Sequence, residues 1–476
     1  MLKQTERLVR IHPQRALVAP ATQGQKAIWR DIEYMMPDTS FYNIVRPAIV
    51  PAGVVLDDVV AVIGETVERH ESLRTLFWRD AQGALCQEVR ADAQLQVEVY
   101  EGWSGPGFDP DAILAGLCDQ LIATRFRHAE GWPVRALVAV LDDVPRVVLV
   151  CVSHVAADNL GAAVVVSELT ERFEALVRGE RPQFPAALQP IDLARAEALE
   201  QGQRTLGRAL DYWRAQLSVM PPTMFPGLAA EPAQPRYQRA VLVSRAAAAA
   251  VDQVALRLQA TTPVVLLAAV AAVLSNQAQE TSCTMTLIAG NRPTRALRGC
   301  VTNLVQDVPA TVDTGAETFA EVVRNAWRAT TNAYLNSRYD RAAAQSLTEQ
   351  VGRERGTELD LLSYFNDLRR QTVPDAAAAE PADAGAFEES RFFWEEGVER
   401  DHLSFFLVAE DEEGRLKLTL RADTTRLPRD RMAAFLYGLE SFLSAVAADP
   451  DVPLREALDA AVAAVPDLAG LATAAG

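Results

Sequence analysis

The sequence predicts a mixed α/β protein (α+β) of two lobes, and three observations carry that reading. The chain has 476 residues, more than one small core organises. Short apolar strand candidates are interleaved with amphipathic helices, but not in the regular alternation that builds a parallel sheet. The two halves also have similar content: helices, mixed strands, and a late passage from strand to helix. No repeat of fixed period is visible. The division expected is an N-terminal lobe over 1–180 and a C-terminal lobe over 181–476.

The elements follow from local pattern. Gln23 to Met35 has helical spacing, with Ile28, Ile32 and Met35 on one side, and Pro37 ends it. Ile44 to Val50 is a strand candidate, and Leu56 to Arg69 an amphipathic helix with Val59, Val60, Ile63 and Val67 on its apolar side. Leu73 to Trp78 and Cys86 to Val89 read as a hairpin around the Asp80–Gly83 turn. Leu95 to Tyr100 is a strand and Pro110 to Arg125 a helix. Val134 to Leu141 and Arg146 to Val152 form a second hairpin, followed by a helix from about Leu160 to Val177 that Gly179 and Pro182 close.

Glu180 to Gln189 reads as a linker, and Ala194 to Leu217 as a helix. A proline-rich loop leads to a strand near Tyr237 to Ser244, a helix pair over Ala246 to Ser275, and a strand at Thr284 to Ala289. Helix Phe319 to Leu335, strands Asp360 to Phe365, Leu403 to Glu410 and Leu416 to Arg421, and helix Arg429 to Ala447 complete the second lobe. Pro374 to Ala386, rich in alanine and acid, reads as a surface loop. The tail after Pro453 shows no clear core face.

Composition excludes several classes. A formal charge of -17 offers no basic stripe for phosphates, so nucleic acid is not expected as a partner. There is no GxGxxG and no GxxxxGK[ST], so nucleotide binding has no support. The five cysteines, Cys86, Cys118, Cys151, Cys283 and Cys300, have no paired spacing, which favours reduced thiols and a cytoplasmic protein. The first thirty residues lack an apolar signal core. The longest apolar run, Pro263 to Leu274, is too short to span a bilayer and reads as a buried helix. No membrane partner is expected, and the protein is read as a monomer. His12, His70, His128 and His402 show no metal-ligand spacing and read as surface or structural residues; no metal site is expected.

The chemistry points to Ser153-His154-Val155-Ala156-Ala157-Asp158-Asn159. A histidine at the end of an apolar strand projects into a cleft, and a carboxylate four residues on can hold the loop that aims it. A base so placed suits deprotonation of an amine or alcohol nucleophile. Asp158 also precedes a helical run and is a ready N-cap, so a structural or orienting role is expected of it rather than proton transfer.

Other blocks fall in register with this one. Thr22-Gln23-Gly24-Gln25 with Trp29 and Tyr42-Asn43 comes first, then Arg69-His70-Glu71-Ser72-Leu73-Arg74-Thr75 with Phe77. Later come Tyr212-Trp213 with Leu217, Thr262-Pro263 before Leu266 to Ala269, and Gly290-Asn291-Arg292 with Gly299 and Asn303. Together they resemble a condensation domain of nonribosomal peptide synthetases, within the chloramphenicol-acetyltransferase-like superfamily, over about residues 16 to 455. Tyr334 to Asp340 matches its family block poorly. No adenylation or carrier domain is recognisable, which reads as a free-standing member or an excised domain.

The resemblance implies two acetyltransferase-like lobes in a V, with the active site in the channel between them. It implies no cofactor of the protein's own; the substrate arrives on the phosphopantetheine arm of a peptidyl or acyl carrier protein. The acceptor is a small amine or alcohol or a second carrier-bound group, and the product an amide or ester in nonribosomal peptide or hybrid polyketide antibiotic biosynthesis. His154 maps to the second histidine of the family's HHxxxDG, Asp158 to its aspartate, and Arg69 to the arginine expected to pair with that aspartate. Arg74 is expected to give structural support. Gly161 and Asn303 are expected along the substrate channel.

Two positions depart from the motif. Ser153 replaces its first histidine and keeps one hydrogen-bonding group at the catalytic segment. Asn159 replaces its glycine and takes up room, leaving open a narrower channel, a changed acceptor pocket, or a site that has lost its reaction. The heterocyclising branch would need Asp in place of Ser153, and no EGHGR-like segment marks an epimerase. The alternative to an acyltransferase is a catalytically degenerate domain that recruits tailoring enzymes, such as haem monooxygenases, to carrier-bound intermediates. A transferase acting on coenzyme A thioesters is a third possibility.

Overall fold

The hairpin that delivers His154 is apolar on both faces, and the architecture of the first half follows from that. Its strands alternate between two cores: Ala136, Val138, Val148, Val150 and Val152 join one, and Leu137, Leu149 and Cys151 the other. Both faces must therefore be covered. The computed structural model describes residues 3–12, 15–90, 93–105, 109–227, 231–369, 390–449 and 452–463. The alanine- and acid-rich segment Pro374 to Ala386 lies outside them.

The chain divides into two compact units. The first contains β1 (Lys3–Ile11), β2 (Leu17–Pro20), α1 (Gln23–Met35), β3 (Asn43–Ile49), α2 (Leu56–Arg69), β4 (Thr75–Arg79), β5 (Leu85–Val89), β6 (Ala93–Gly102), α3 (Pro110–Ala123), β7 (Val134–Leu141), β8 (Val144–Ser153), α4 (Asn159–Arg178) and α5 (Pro190–Ala198). α6 (Glu200–Val219) runs from the first unit into the second. A five-stranded sheet has the order β1-β6-β7-β8-β3, and β2-β5-β4 form a small second sheet. β6 and β7 run parallel and the other pairs of the large sheet antiparallel, which makes it mixed.

Helices α2 and α4 cover one face of β7 and β8 through Val59, Val62, Ile63, Val67, Val165, Leu169 and Phe173. α3 covers the other through Leu117 and Leu121. The hairpin turns on Asp142 and Asp143, both at positive φ (51° and 62°), as a two-residue turn matched to strand twist requires. α4 ends at Gly179, in the left-handed region at φ 68°.

The second unit holds β9 (Tyr237–Ser244), α7 (Arg245–Leu258), α8 (Thr262–Ala278), β10 (Ser282–Ala289), β11 (Gln306–Asp313), α10 (Phe319–Leu335), α11 (Arg341–Arg355), β12 (Ser363–Asp367), β13 (Arg391–Val398), β14 (Phe405–Glu412), β15 (Arg415–Asp423), α12 (Arg429–Ala448) and α13 (Leu454–Ala463). The short turn α9 (Arg295–Arg298) belongs to the first unit. The seven strands have the order β11-β10-β12-β14-β15-β9-β13. α8 is the buried helix expected of the apolar run Pro263 to Leu274: Val265 to Leu274 is in the core along its whole circumference. No single helix among the described residues is long and apolar enough to cross a membrane.

A single cut at 180/181 does not describe the units. Residues 181–207, 290–306 and 338–341 fold with the N-terminal half. The causes are packing and charge. Ile191 of α5 joins Ala19 and Val89, and Leu193 packs with Leu297, Cys300 and Leu304. Arg341 pairs with Asp31 at 2.8 Å. The expected helix from Ala194 to Leu217 is broken, at Leu199, into α5 and α6. The tail after Pro453 forms α13, whose Leu454, Ala457, Leu458 and Ala461 are buried in the core of the second unit.

In that core Phe442 is fully buried and meets Phe319 edge-to-face, with ring centroids 5.1 Å apart. Phe442→Ala should cost about 3–5 kcal/mol of stability, read as a lowered urea midpoint with an unchanged slope.

Candidate active site

The strand-to-helix corner after β8 is closed by a charge pair that local sequence does not reveal. Asp158 caps α4: its Oδ1 accepts the Gly161 N–H at 2.7 Å. The same oxygen accepts from Arg292 at 2.7 Å, and Oδ2 accepts the Leu304 N–H at 3.0 Å. Asp158 and Arg292 are both buried. Through its two terminal nitrogens Arg292 also donates to the carbonyls of Leu297, Cys300 and Thr302, at 2.7 to 3.1 Å. Both carboxylate oxygens are thus occupied by donors, which leaves Asp158 to orient the loop.

The turn between strand and helix is held from two further sides. The Ser153 carbonyl accepts the N–H groups of Ala156 and Ala157, and Ser72 Oγ donates to the Ala156 carbonyl at 2.5 Å. His154 N–H donates to the Tyr42 carbonyl at 2.8 Å, and the Tyr42 and His154 rings meet edge-on at 6.4 Å.

His154 Nδ1 is buried with no hydrogen-bond partner outside its own residue. Burial pulls the His154 pKa below the ordinary histidine value; its own carbonyl and the carboxylates of Asp158 and Asp31 pull the other way without cancelling the shift. The shift favours the neutral imidazole. A neutral, aimed imidazole of this kind can take a proton from an attacking amine or alcohol.

The block Arg69 to Thr75 is the frame around this turn. Arg69 does not pair with Asp158. Its Nε lies 3.0 Å from Glu168, which also accepts from His70 Nε2 at 2.9 Å. Glu168 is ten residues past Asp158 in α4, about 15 Å along the helix, so one arginine at the end of α2 cannot serve both. Although burial opposes it, His70 and Arg69 hold the Glu168 carboxyl below the usual carboxylate range. Arg74 is buried and donates to the carbonyls of Glu68, Arg15 and Arg90.

The remaining expected positions fall as follows. Asn159 is exposed at the first turn of α4, and its Oδ1 accepts from Arg46 at 2.8 Å. Its backbone is helical, so nothing at this position requires glycine. Gly161 and Asn303 do not line open space. A Cβ at Gly161 would meet Ala157 and the Thr302 carbonyl at 3.3 Å. Asn303 is buried, with its Nδ2 donating to the Gly24 carbonyl at 2.6 Å. Ser153 is buried, its Oγ 2.7 Å from His128 Nε2. Burial pushes the Cys151 thiol up to about 12, as suits a core residue. Among the described residues no cluster of three His, Cys, Asp or Glu could hold a metal ion.

The model of the condensation domain matches residues 16–461, nearly the whole chain. The chain belongs to the condensation domain family. A curated relative, a linear gramicidin synthase polypeptide of Brevibacillus parabrevis, is 32% identical over 211 residues, which cover 43% of this chain and 4% of the synthase. The chain thus corresponds to a small part of that relative. Among solved structures, a variant of the starter condensation domain of rhizomide synthetase in complex with C8-CoA and Leu-SNAC matches with TM-score 0.66 and 16% identity, over 92% of this chain and 96% of that one. The complex of the X-domain and OxyB from teicoplanin biosynthesis matches with TM-score 0.64 and 19% identity, over 94% and 96%. These likenesses show the fold, which is chloramphenicol-acetyltransferase-like.

In this condensation domain, Arg292 is the site residue that sequence reasoning misses. The Gly290-Asn291-Arg292 block is the signal that points to it, since a buried carboxylate needs a buried cation. His128 is missed as well: it reads as one of several isolated histidines.

Arg292→Ala should cost about 3–5 kcal/mol, because it strands the Asp158 charge in the interior; chemical denaturation measures it. His128 gives a pH prediction. Burial, then Arg125 and Arg135, push its pKa down to about 4. Between about pH 4 and 6.5 the unfolded chain binds the extra proton, so this contribution is complete above 6.5 and is lost as pH falls. The stability of the parent relative to His128→Asn should therefore decline by about 3 kcal/mol from pH 7.5 to pH 4.

Proposed function

We propose that this chain is an acyltransferase of the condensation type, joining a carrier-bound acyl or aminoacyl thioester to an amine or alcohol acceptor in nonribosomal peptide or hybrid polyketide biosynthesis. The observation that carries this is His154 at the end of β8, on a turn clamped by the buried pair of Asp158 and Arg292; burial lowers its pKa and favours the neutral ring. A base that stays unprotonated and fixed is what nucleophile activation needs. Membership in the condensation family supports the substrate class, and so does the C8-CoA and Leu-SNAC complex of the related starter domain.

In the proposed reaction, His154 Nε2 takes the proton as the acceptor nitrogen or oxygen attacks the thioester carbonyl. The tetrahedral adduct then expels the pantetheine thiolate, which receives that proton. One C–N or C–O bond forms and one C–S bond breaks. The base contributes roughly 10²–10⁴-fold, with alignment of the two substrates adding the rest. Asp158, Arg292 and the Arg69–Thr75 frame act by keeping the ring in place. The pantetheine arm belongs to the carrier protein, so the domain needs no cofactor of its own, and we place the reaction in the cytoplasm.

The rival role, docking of tailoring enzymes onto carrier-bound intermediates, draws on Ser153 and Asn159. Ser153 is tied to His128 and Asn159 to Arg46, so both departures are absorbed by neighbours while the His154 turn keeps its supports. That favours the transferase.

His154→Ala should lower turnover at least about tenfold while leaving thermal unfolding unchanged, measured with acyl-pantetheine thioesters and amine or alcohol acceptors by mass spectrometry. Unchanged turnover would overturn the catalytic role. No product from any donor, together with binding of a haem monooxygenase, would establish recruitment instead.

A further inference from the structure

The reaction above makes no use of His128 or of the Ser153 hydroxyl, yet they form a built contact at the residue that precedes the base. His128 sits in the segment between α3 and β7. Its ring packs edge-on against Trp29, with centroids 5.1 Å apart, and lies 6.1 Å from Phe126. Its carbonyl accepts the Phe77 N–H at 2.9 Å. The residue is thus anchored at both backbone and ring, and its Nε2 reaches Ser153 Oγ at 2.7 Å.

Ser153 is where the turn is pinned. Its N–H donates to the Pro133 carbonyl at 2.9 Å, and its carbonyl accepts from Ala156 at 2.8 Å and Ala157 at 3.2 Å. His154 follows it directly. A buried hydroxyl without a partner is costly; here the partner is an imidazole from 25 residues back. Serine at this position leaves room for that ring, where the motif this segment resembles has a histidine of its own.

We propose that His128 is a positioning residue for His154: its imidazole, delivered from the neighbouring segment, fills the space that a histidine at position 153 would occupy, and its bond to Ser153 fixes the turn that aims the base. The imidazole that stands between Trp29 and the end of β8 comes from position 128. The consequence for turnover rests on the acyl-transfer reading; the geometric claim does not.

The test therefore reads His154 itself. The chain has five histidines, few enough to follow each ring by nitrogen-15 NMR as pH is varied. Asp158 and Asp31 face His154, and Arg125 and Arg135 face His128; these stay constant across the variants. Ser153→Ala and His128→Leu should each loosen and hydrate the His154 ring, moving its titration up toward the ordinary value of about 6.5. His128→Asn, which keeps a hydrogen-bonding group, should stay near the parent. Ser153→His alone should disturb the ring, and Ser153→His with His128→Ser should restore it. A His154 titration unmoved in both Ser153→Ala and His128→Leu would overturn the proposal, and so would losses of thermal stability without any such movement. If His128→Leu does not fold, Ser153→Ala removes the same bond at the cost of one atom and decides the matter.

Discussion

The buried pair of Asp158 and Arg292 is the constraint on which the rest of the site depends. A strand that ends in the interior and turns at once into a helix leaves backbone donors exposed at the helix start. Asp158 satisfies one of them, at Gly161, and also takes the Leu304 N–H of a distant segment, but the carboxylate then sits where water does not reach. An unpaired charge there would cost several kcal/mol. Arg292 removes that cost and, through three carbonyls, ties the segment 297–302 to the same point. The corner that carries His154 can therefore be tight, buried and fixed at once. The pair also accounts for the compact units: residues 290–306 fold with the N-terminal half because this ion pair and the packing around Cys300 hold them there.

A second layer of support explains why the Arg69–Thr75 block is dense in polar residues although nearly all of it is buried. Each polar group answers a specific need. Ser72 satisfies the Ala156 carbonyl, His70 and Arg69 hydrogen-bond Glu168 of α4, and Arg74 closes three carbonyls. None of these groups faces a substrate by this account. They act by removing slack, and slack in the position of a base is costly to proton transfer. The departures at 153 and 159 fit the same logic. Asn159 turns its side chain to Arg46 at the surface, and Ser153 binds His128, so each is compensated by its own partner without displacing the turn.

Much of this was legible from sequence where burial leaves a local period. Helix α1 runs from Gln23 to Met35 as its apolar spacing and Pro37 predict, and α8 is as buried as its composition demands. The Ser153–Asn159 corner falls where a strand pattern meets an N-cap residue. What was not legible lacks such a period or acts at long range. β1 is an edge strand whose residues are mostly exposed, so its sequence Lys3–Ile11 reads as a polar start. α11 buries only Ala344, Val351 and Gly352 along its length. The choice of Arg292 over Arg69 as the partner of Asp158 spans 134 positions, and no local pattern encodes it.

The site works only if His154 is a neutral base, held at a depressed pKa by burial on a clamped turn. The most direct measurement is the pH dependence of kcat/KM for transfer from an acyl-pantetheine thioester to an alcohol, an acceptor that does not itself titrate in the range. A buried neutral His154 gives one ascending limb whose midpoint lies below the ordinary histidine value of about 6.5, followed by a plateau through neutral pH. A midpoint above that value, or a rate that follows hydroxide across neutral pH with no plateau, would contradict it.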